Sequence, residues 1–213
     1  LLYWEPKINK PIKSPKTEPS KKIRIIGGNW RSRLLTVVDL PGLRPTTDRI
    51  RETLFNWLGQ DLTGLRCLDL FAGTGALGFE AASRGSDLVV LLEKDKKAHA
   101  SLKTNFALLQ SSPASGIVEI LHRDSLEYLK QQADRSSNLI FIDPPFQETS
   151  LFDQVVIEAG RVCDDSSGGG IYVEFPSTTC TREEVETLLP DWHCGKYLEA
   201  GQVKACLFRG GRG

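Results

Sequence analysis

What most constrains the fold of this chain is a rhythm. From Leu65 onward, short apolar runs at 67–71 (CLDLF), 88–92 (LVVLL), 117–121 (IVEIL), 139–142 (LIFI) and 171–175 (IYVEF) alternate with longer amphipathic stretches. Those stretches fall near 76–84, 95–109, 124–132, 150–163 and 181–189. Apolar runs of four or five residues suit strands buried on both faces, and the longer stretches carry the spacing of helices. Such regular alternation predicts a doubly wound α/β domain, a parallel sheet with helices on both faces. One or two further strands are expected across about 195–209, and SSPASG (111–116) and DDSSGGG (164–170) read as loops.

The front of the chain is different. Residues 1–22 are Lys- and Pro-rich and cannot bury enough to offset their ordering entropy, so they read as a flexible basic tail. Ile23–Ile26 and Arg33–Val38 read as two short strands of a basic hairpin, with Gly27-Gly28 allowing a turn or bulge. Thr46 or Thr47 then precedes a helical pattern from Asp48 to Leu58, with Ile50, Leu54, Phe55 and Leu58 on one face. The expected organisation is a tail over 1–22, a basic hairpin-and-helix appendage over 23–59 and a main α/β domain over 60–213.

The 213 residues carry no net charge, yet residues 1–51 hold 12 Lys/Arg against 4 Asp/Glu. A basic front end on an acidic body suits a polyanion, and a solvated tail without a partner is the plain alternative. Forty per cent hydrophobic and 25% charged residues exclude collagen, wholesale disorder and a disulfide miniprotein. No apolar run approaches the ~18 residues of a membrane span. Five cysteines without a C-x-x-C pair fit a reducing compartment, with Cys67 and Cys206 as core fillers. The three histidines are scattered, so no metal site is expected. Nothing demands more than a monomer. The absence of methionine and the start at Leu1-Leu2 read as a processed or trimmed form.

The chemistry concentrates at the ends of the apolar runs. CLDLF passes directly into AGTGALG, so Gly73, Gly75 and Gly78 spell G-x-G-x-x-G after a strand and before a helix. That placement says nucleoside cofactor on a Rossmann-like sheet. Glu93, at the end of the next run, can accept both hydroxyls of an adenosine ribose. NAD and S-adenosylmethionine compete for this frame. The carboxylate of Asp69 inside the first strand favours the second, whose sulfonium and amino groups are cationic, although Asp69 can equally serve as a satisfied loop cap. Asp124 and Ser125 follow the third run, where an acid or hydroxyl can take the adenine amine. Asp124 can also simply cap the helix that follows.

The discriminating feature is Asp143-Pro144-Pro145-Phe146, after IFI. Two prolines fix φ and remove donors, leaving carbonyls that only accept. Asp143 adds an acceptor and Phe146 a flat apolar face. Together they match a planar heterocycle with an exposed NH₂, held in line with a methyl–sulfonium bond.

Leu68 to Gly75, Glu93 and DPPF resemble class I S-adenosylmethionine-dependent methyltransferases acting on nucleobase amines. IRIIGGNWRSRLL (23–35), GLRPTTDRIRETLFNWL (42–58) and the late GQV (201–203) further resemble the bacterial RsmD family. That family methylates the N2 amine of a guanine in small-subunit ribosomal RNA. The resemblance implies a seven-stranded methyltransferase sheet, with cofactor contacts at Asp69, Phe71, Gly73, Gly75, Glu93, Asp124 and Ser125. It implies target-base contacts at Asp143, Pro144 and Phe146. RNA phosphates, in the naked RNA or an assembling small subunit, would meet Lys21, Lys22, Arg24, Arg31, Arg33, Arg44, Arg49 and Arg51. For Arg44, Arg49 and Arg51 pairing with Asp48 or Glu52 is the alternative, and Trp30 would stack on a base or pack. Ser32 stands where the family often has glycine. DNA or RNA adenine and a protein amide remain alternative targets. A nicotinamide-dependent oxidoreductase would leave Asp69 and DPPF without a role, and an RNA-binding or assembly factor that has lost catalysis is a further alternative. The compartment expected is the cytoplasm for a bacterial source, or the chloroplast stroma or mitochondrial matrix for a eukaryotic one.

Overall fold

A computed structural model describes residues 21–38, 48–112, 114–145, 149–178 and 180–211. Residues 1–20 of the tail expected over 1–22, the candidate caps Thr46 and Thr47, Arg44 and Phe146 lie outside the described residues, and Lys22 already belongs to the first strand.

The chain opens with the expected hairpin. Strand β1 (Lys22–Arg24) pairs antiparallel with β2 (Leu34–Thr36), Ile23 opposite Leu35, across a 3-10 turn at Gly28–Trp30. Ser32, the residue in place of the family's glycine, takes a positive φ of 68°. Helix α1 spans Asp48–Leu58 as its periodicity predicts.

The seven-stranded sheet follows, with elements β3 (Arg66–Asp69), α2 (Ala76–Ser83), β4 (Leu88–Leu92), α3 (Lys96–Leu109), β5 (Ile117–Leu121), α4 (Ser125–Leu129), β6 (Leu139–Ile142), α5 (Thr149–Val162), β7 (Gly170–Pro176), α6 (Arg182–Leu188), β8 (Trp192–Ala200) and β9 (Val203–Gly210). Its order is β5-β4-β3-β6-β7-β9-β8. The first five strands are parallel, and β9 runs antiparallel between β7 and β8. The sheet is therefore mixed where a parallel one was expected. Only Gly201 and Gln202 separate β8 from β9, too short for a parallel crossover, so they can only form a hairpin.

Alternate strand residues feed two cores, one on each face. Cys67, Leu91, Phe141 and Tyr172 pack towards α1, α2 and α3, while Leu68, Val90, Ile140 and Val173 pack towards α4, α5 and α6. The hairpin residues Ile25, Trp30 and Leu35 belong to the first core together with Leu54 and Phe55 of α1. Arm and body thus share one interior.

Two expectations for the arm are corrected here. Trp30 is fully buried, edge-on to Phe79 and Phe106, with its indole N–H bonded to the Ser112 carbonyl, so it has no face to offer a base. Arg51 is also fully buried and cannot meet a phosphate. Its Nη2 donates to the Arg24 carbonyl at 2.8 Å and to Asp48 at 2.7 Å, and its Nη1 lies 3.8 Å from Glu80. The pairing alternative holds, through Asp48. Glu80 of α2 is the hub of this contact. Its carboxylate accepts the N–H groups of Ile26 and Gly27, both at 2.7 Å, and Arg84 at 2.8 Å. A buried carboxylate is tolerable only when so fully paired.

Candidate active site

Four carboxylates stand at or just beyond the carboxyl ends of adjacent parallel strands: Asp69 on β3, Glu93 after β4, Asp124 after β5 and Asp143 after β6. The strand order reverses between β3 and β6, which is where open α/β sheets leave a ligand crevice.

The glycine loop after β3 is built by three different requirements. Gly73 and Gly75 have positive φ values of 52° and 83°. A Cβ on Gly75 would also lie 2.3 Å from the Phe79 ring. Gly78 has an ordinary backbone, but a Cβ there would lie 2.7 Å from Leu91, so it permits α2 to approach β4. Asp69 Oδ2 accepts the Gly78 N–H at 2.9 Å and is 2% exposed. Burial pushes the Asp69 carboxyl up to about 7, against the Gly78 N–H and with the help of the Asp143 and Glu93 charges. Its satisfied-cap role is therefore real, whatever else it does.

Glu93 is partly exposed. It accepts Gly73 N–H at 3.0 Å on Oε2 and Asp95 N–H at 2.8 Å on Oε1. Burial raises its pKa and these bonds oppose the rise. Each oxygen accepts through two lone pairs, so capacity remains for a diol. Asp124 caps α4, its Oδ1 accepting the N–H groups of Leu126 and Glu127 at 3.0 and 3.1 Å. The capping alternative is thus observed, and it is compatible with a ligand on Oδ2.

The Ser125 hydroxyl is buried and donates to the Leu70 carbonyl, tying the start of α4 to the residue after β3. Its proton is spent on the main chain, which leaves the oxygen as an acceptor only.

Phe71 follows Asp69 and is partly buried against the second core. Asp143 is partly exposed and Pro144 buried. Ile142 opposes Val173 as the last pair between β6 and β7, and Asp143 and Glu174 are the next residues along the two parallel strands. Glu174 is 2% exposed and accepts the Tyr172 hydroxyl at 2.8 Å. Sequence reading passed over Glu174 because IYVEF looks like an ordinary buried strand. A charge inside such a run was the available signal.

The family model described as conserved hypothetical protein 95 matches residues 23–208, arm and body alike. The chain belongs to this family. It is the RsmD family that the front-end motifs resemble. A ribosomal RNA small subunit methyltransferase D from Haemophilus influenzae is 45% identical over 205 residues, 94% of this chain and 99% of that protein. Its namesake from Escherichia coli K12 is 39% identical over 204 residues, 93% and 95% of the two chains. A solved putative methyltransferase from Escherichia coli superimposes with a TM-score of 0.74 at 34% identity, covering 90% of this chain and all of that one. The sheet described above is that of S-adenosylmethionine-dependent methyltransferases.

In this RsmD-family chain the expected RNA-facing residues divide by position. Lys21, Lys22, Arg24, Arg31, Arg33 and Arg49 are exposed, Arg24 lying 3.5 Å from Asp48. All but Arg49 belong to the hairpin. Among the described residues no group of three His, Cys, Asp or Glu could hold a metal, and no helix is long and apolar enough to cross a membrane. Cys67 and Cys206 are buried as core residues.

Proposed function

We propose that this chain transfers a methyl group from S-adenosylmethionine to the exocyclic N2 amine of a guanine in small-subunit ribosomal RNA. The observation that carries the reading is the position of Asp143-Pro144 directly after β6, the strand beside β3 and its glycine loop. Methyl donor and acceptor amine would meet at that seam. The relatives named as ribosomal RNA small subunit methyltransferase D support the RNA as substrate.

In this mechanism Glu93 accepts the ribose hydroxyls and Asp124 Oδ2 the adenine amine. The N–H groups at the start of α2 meet the polar end of the cofactor, and Asp69 holds that start in place. The cofactor supplies an electrophilic methyl on a sulfonium. Asp143 and the Pro144 carbonyl accept the hydrogen bonds of the target NH₂, orienting its nitrogen towards that methyl; the amine is a poor nucleophile, so alignment is the main contribution. By sequence position Phe146 would stack the base. After transfer the nitrogen sheds a proton, and the Asp143 carboxylate, proposed to be hydrogen-bonded to that nitrogen, would accept it. Lys21, Lys22, Arg24, Arg31, Arg33 and Arg49 would contact phosphates.

The test is transfer of labelled methyl to unmodified small ribosomal subunits, followed by digestion to nucleosides. Label in N2-methylguanosine is the expected result. Label in a methylated adenine would move the target to another planar amine. Cofactor binding without label in subunits, naked RNA or DNA would defeat the reading.

A further inference from the structure

Asn105 lies in the middle of α3 and is 1% exposed. Its amide makes three hydrogen bonds with main-chain groups far away in sequence. Oδ1 accepts the Thr36 N–H at 2.9 Å, and Nδ2 donates to the carbonyls of Thr36 at 3.0 Å and Thr74 at 3.2 Å. The two bonds to Thr36 occupy a donor and an acceptor of β2, as a neighbouring strand would. Fastening the hairpin needs nothing more. The remaining N–H goes elsewhere, to the carbonyl between Gly73 and Gly75.

That carbonyl belongs to the Thr74–Gly75 peptide. The N–H of the same peptide donates to the Ala72 carbonyl at 2.6 Å, so the unit is pinned at both ends. The pinning matters because Gly75, with its positive φ, is the residue type that least resists rotation of a peptide plane. The next N–H groups along are those that open α2 towards the ligand crevice.

We propose that Asn105 is a positioning residue that couples the arm to the cofactor loop. RNA docked on the hairpin steadies Thr36, Thr36 steadies the Asn105 amide, and the amide fixes the Thr74–Gly75 peptide for the cofactor. Because one side chain bonds both Thr36 and the Thr74–Gly75 peptide, restraint at either end lowers the cost of restraining the other. RNA and cofactor therefore tighten each other's binding by the same factor. This rests on the ribosomal RNA reading above.

The experiment is equilibrium dialysis of labelled S-adenosylhomocysteine against the full chain, with and without saturating unmodified small ribosomal subunits. In the native protein, subunits should raise cofactor affinity by about fivefold or more. Asn105→Ala should weaken cofactor binding about three- to tenfold on its own and bring the subunit effect close to none. Ser83→Ala is the control. It removes a hydroxyl that bonds the Gly27 carbonyl at 2.5 Å and the Trp30 N–H at 2.8 Å, loosening the arm without touching the loop. It should weaken subunit binding yet keep the gain in cofactor affinity at saturating subunits, because the Asn105 bonds are intact; loss of that gain would overturn the role of Asn105. Should Asn105→Ala fail to fold, hydrogen exchange on the native protein decides: subunits without cofactor must slow exchange at Thr74 and Gly75. Both ligands binding with no mutual effect would overturn the coupling alone. Failure to bind subunits at all would overturn the ribosomal reading and the coupling with it.

Discussion

Glu93 accepts the main-chain N–H of Gly73 at 3.0 Å, so the residue proposed to hold the ribose also braces the loop it faces. Glu93→Ala removes the diol acceptor and leaves a loop N–H unpaired. Cofactor affinity should fall about 10- to 100-fold, as expected for losing charged hydrogen bonds. Titration calorimetry with S-adenosylhomocysteine reads it, and unchanged affinity would remove Glu93 from the site.

Asp143→Ala should separate chemistry from cofactor binding. Methyl transfer should drop by at least about 100-fold in kcat, in line with losing an aligned polar group at the reacting centre. Cofactor affinity should stay within about twofold, because none of the cofactor contacts proposed above involves Asp143. Equal turnover by variant and native enzyme would end that assignment.

Asp69 gives the apo-protein a pH signature. Its carboxyl is pushed from 3.8 up to about 7, so between those values the folded state holds a proton that the unfolded state has lost. Stability must therefore decline as pH rises through that window and level off above it. Asp69→Asn removes the titration. Its melting temperature relative to the native protein should rise by about 4 °C or more between pH 5 and pH 8. A constant difference would show that Asp69 is ionised throughout.

Arg51 and Arg33 should fail in opposite ways. Arg51→Ala removes a fully buried side chain together with its bonds to the Arg24 carbonyl and Asp48, and leaving that carbonyl unpaired costs about 1–3 kcal/mol of folding stability. Arg33→Ala should leave stability within ~0.5 kcal/mol while lowering the salt slope of RNA binding by about 0.7–0.9. Chemical denaturation and salt-dependent filter binding check the two. Loss of salt slope in a folded Arg51 variant would contradict its burial.

Ser32→Gly should stabilise. A non-glycine side chain at φ 68° carries a conformational cost of about 1 kcal/mol that glycine escapes. The gain should appear as a melting shift of a few degrees at most, about 2–4 °C.

The sequence made the frame legible because the frame is local. Apolar runs of strand length and the spacing of Ile50, Leu54 and Phe55 each act within a dozen residues, and α1 and the parallel strands lie where these place them. Arg51 is instructive. It sits three and four residues before Leu54 and Phe55, on the buried stripe, yet its charge reads as surface. Spacing was the better guide, since Asp48 one turn back and the Arg24 carbonyl, 27 positions away, supply what the charge needs. Asn105 and Ser83 were invisible for the same reason: their partners are 31 to 69 residues off, and only the folded chain brings them together. The antiparallel placement of β9 was equally a matter of connection length rather than of composition.

Strands of three residues, a tryptophan seated on another element's rings and a carboxylate borrowed from α2 leave the hairpin nothing of its own to fold around. It is not a transplantable module. Cut free at residue 59 it would collapse to a basic peptide, and the remaining body would face water with Phe79 and Phe106 uncovered. The arm cannot be exchanged for another without rebuilding the floor on which the cofactor loop stands.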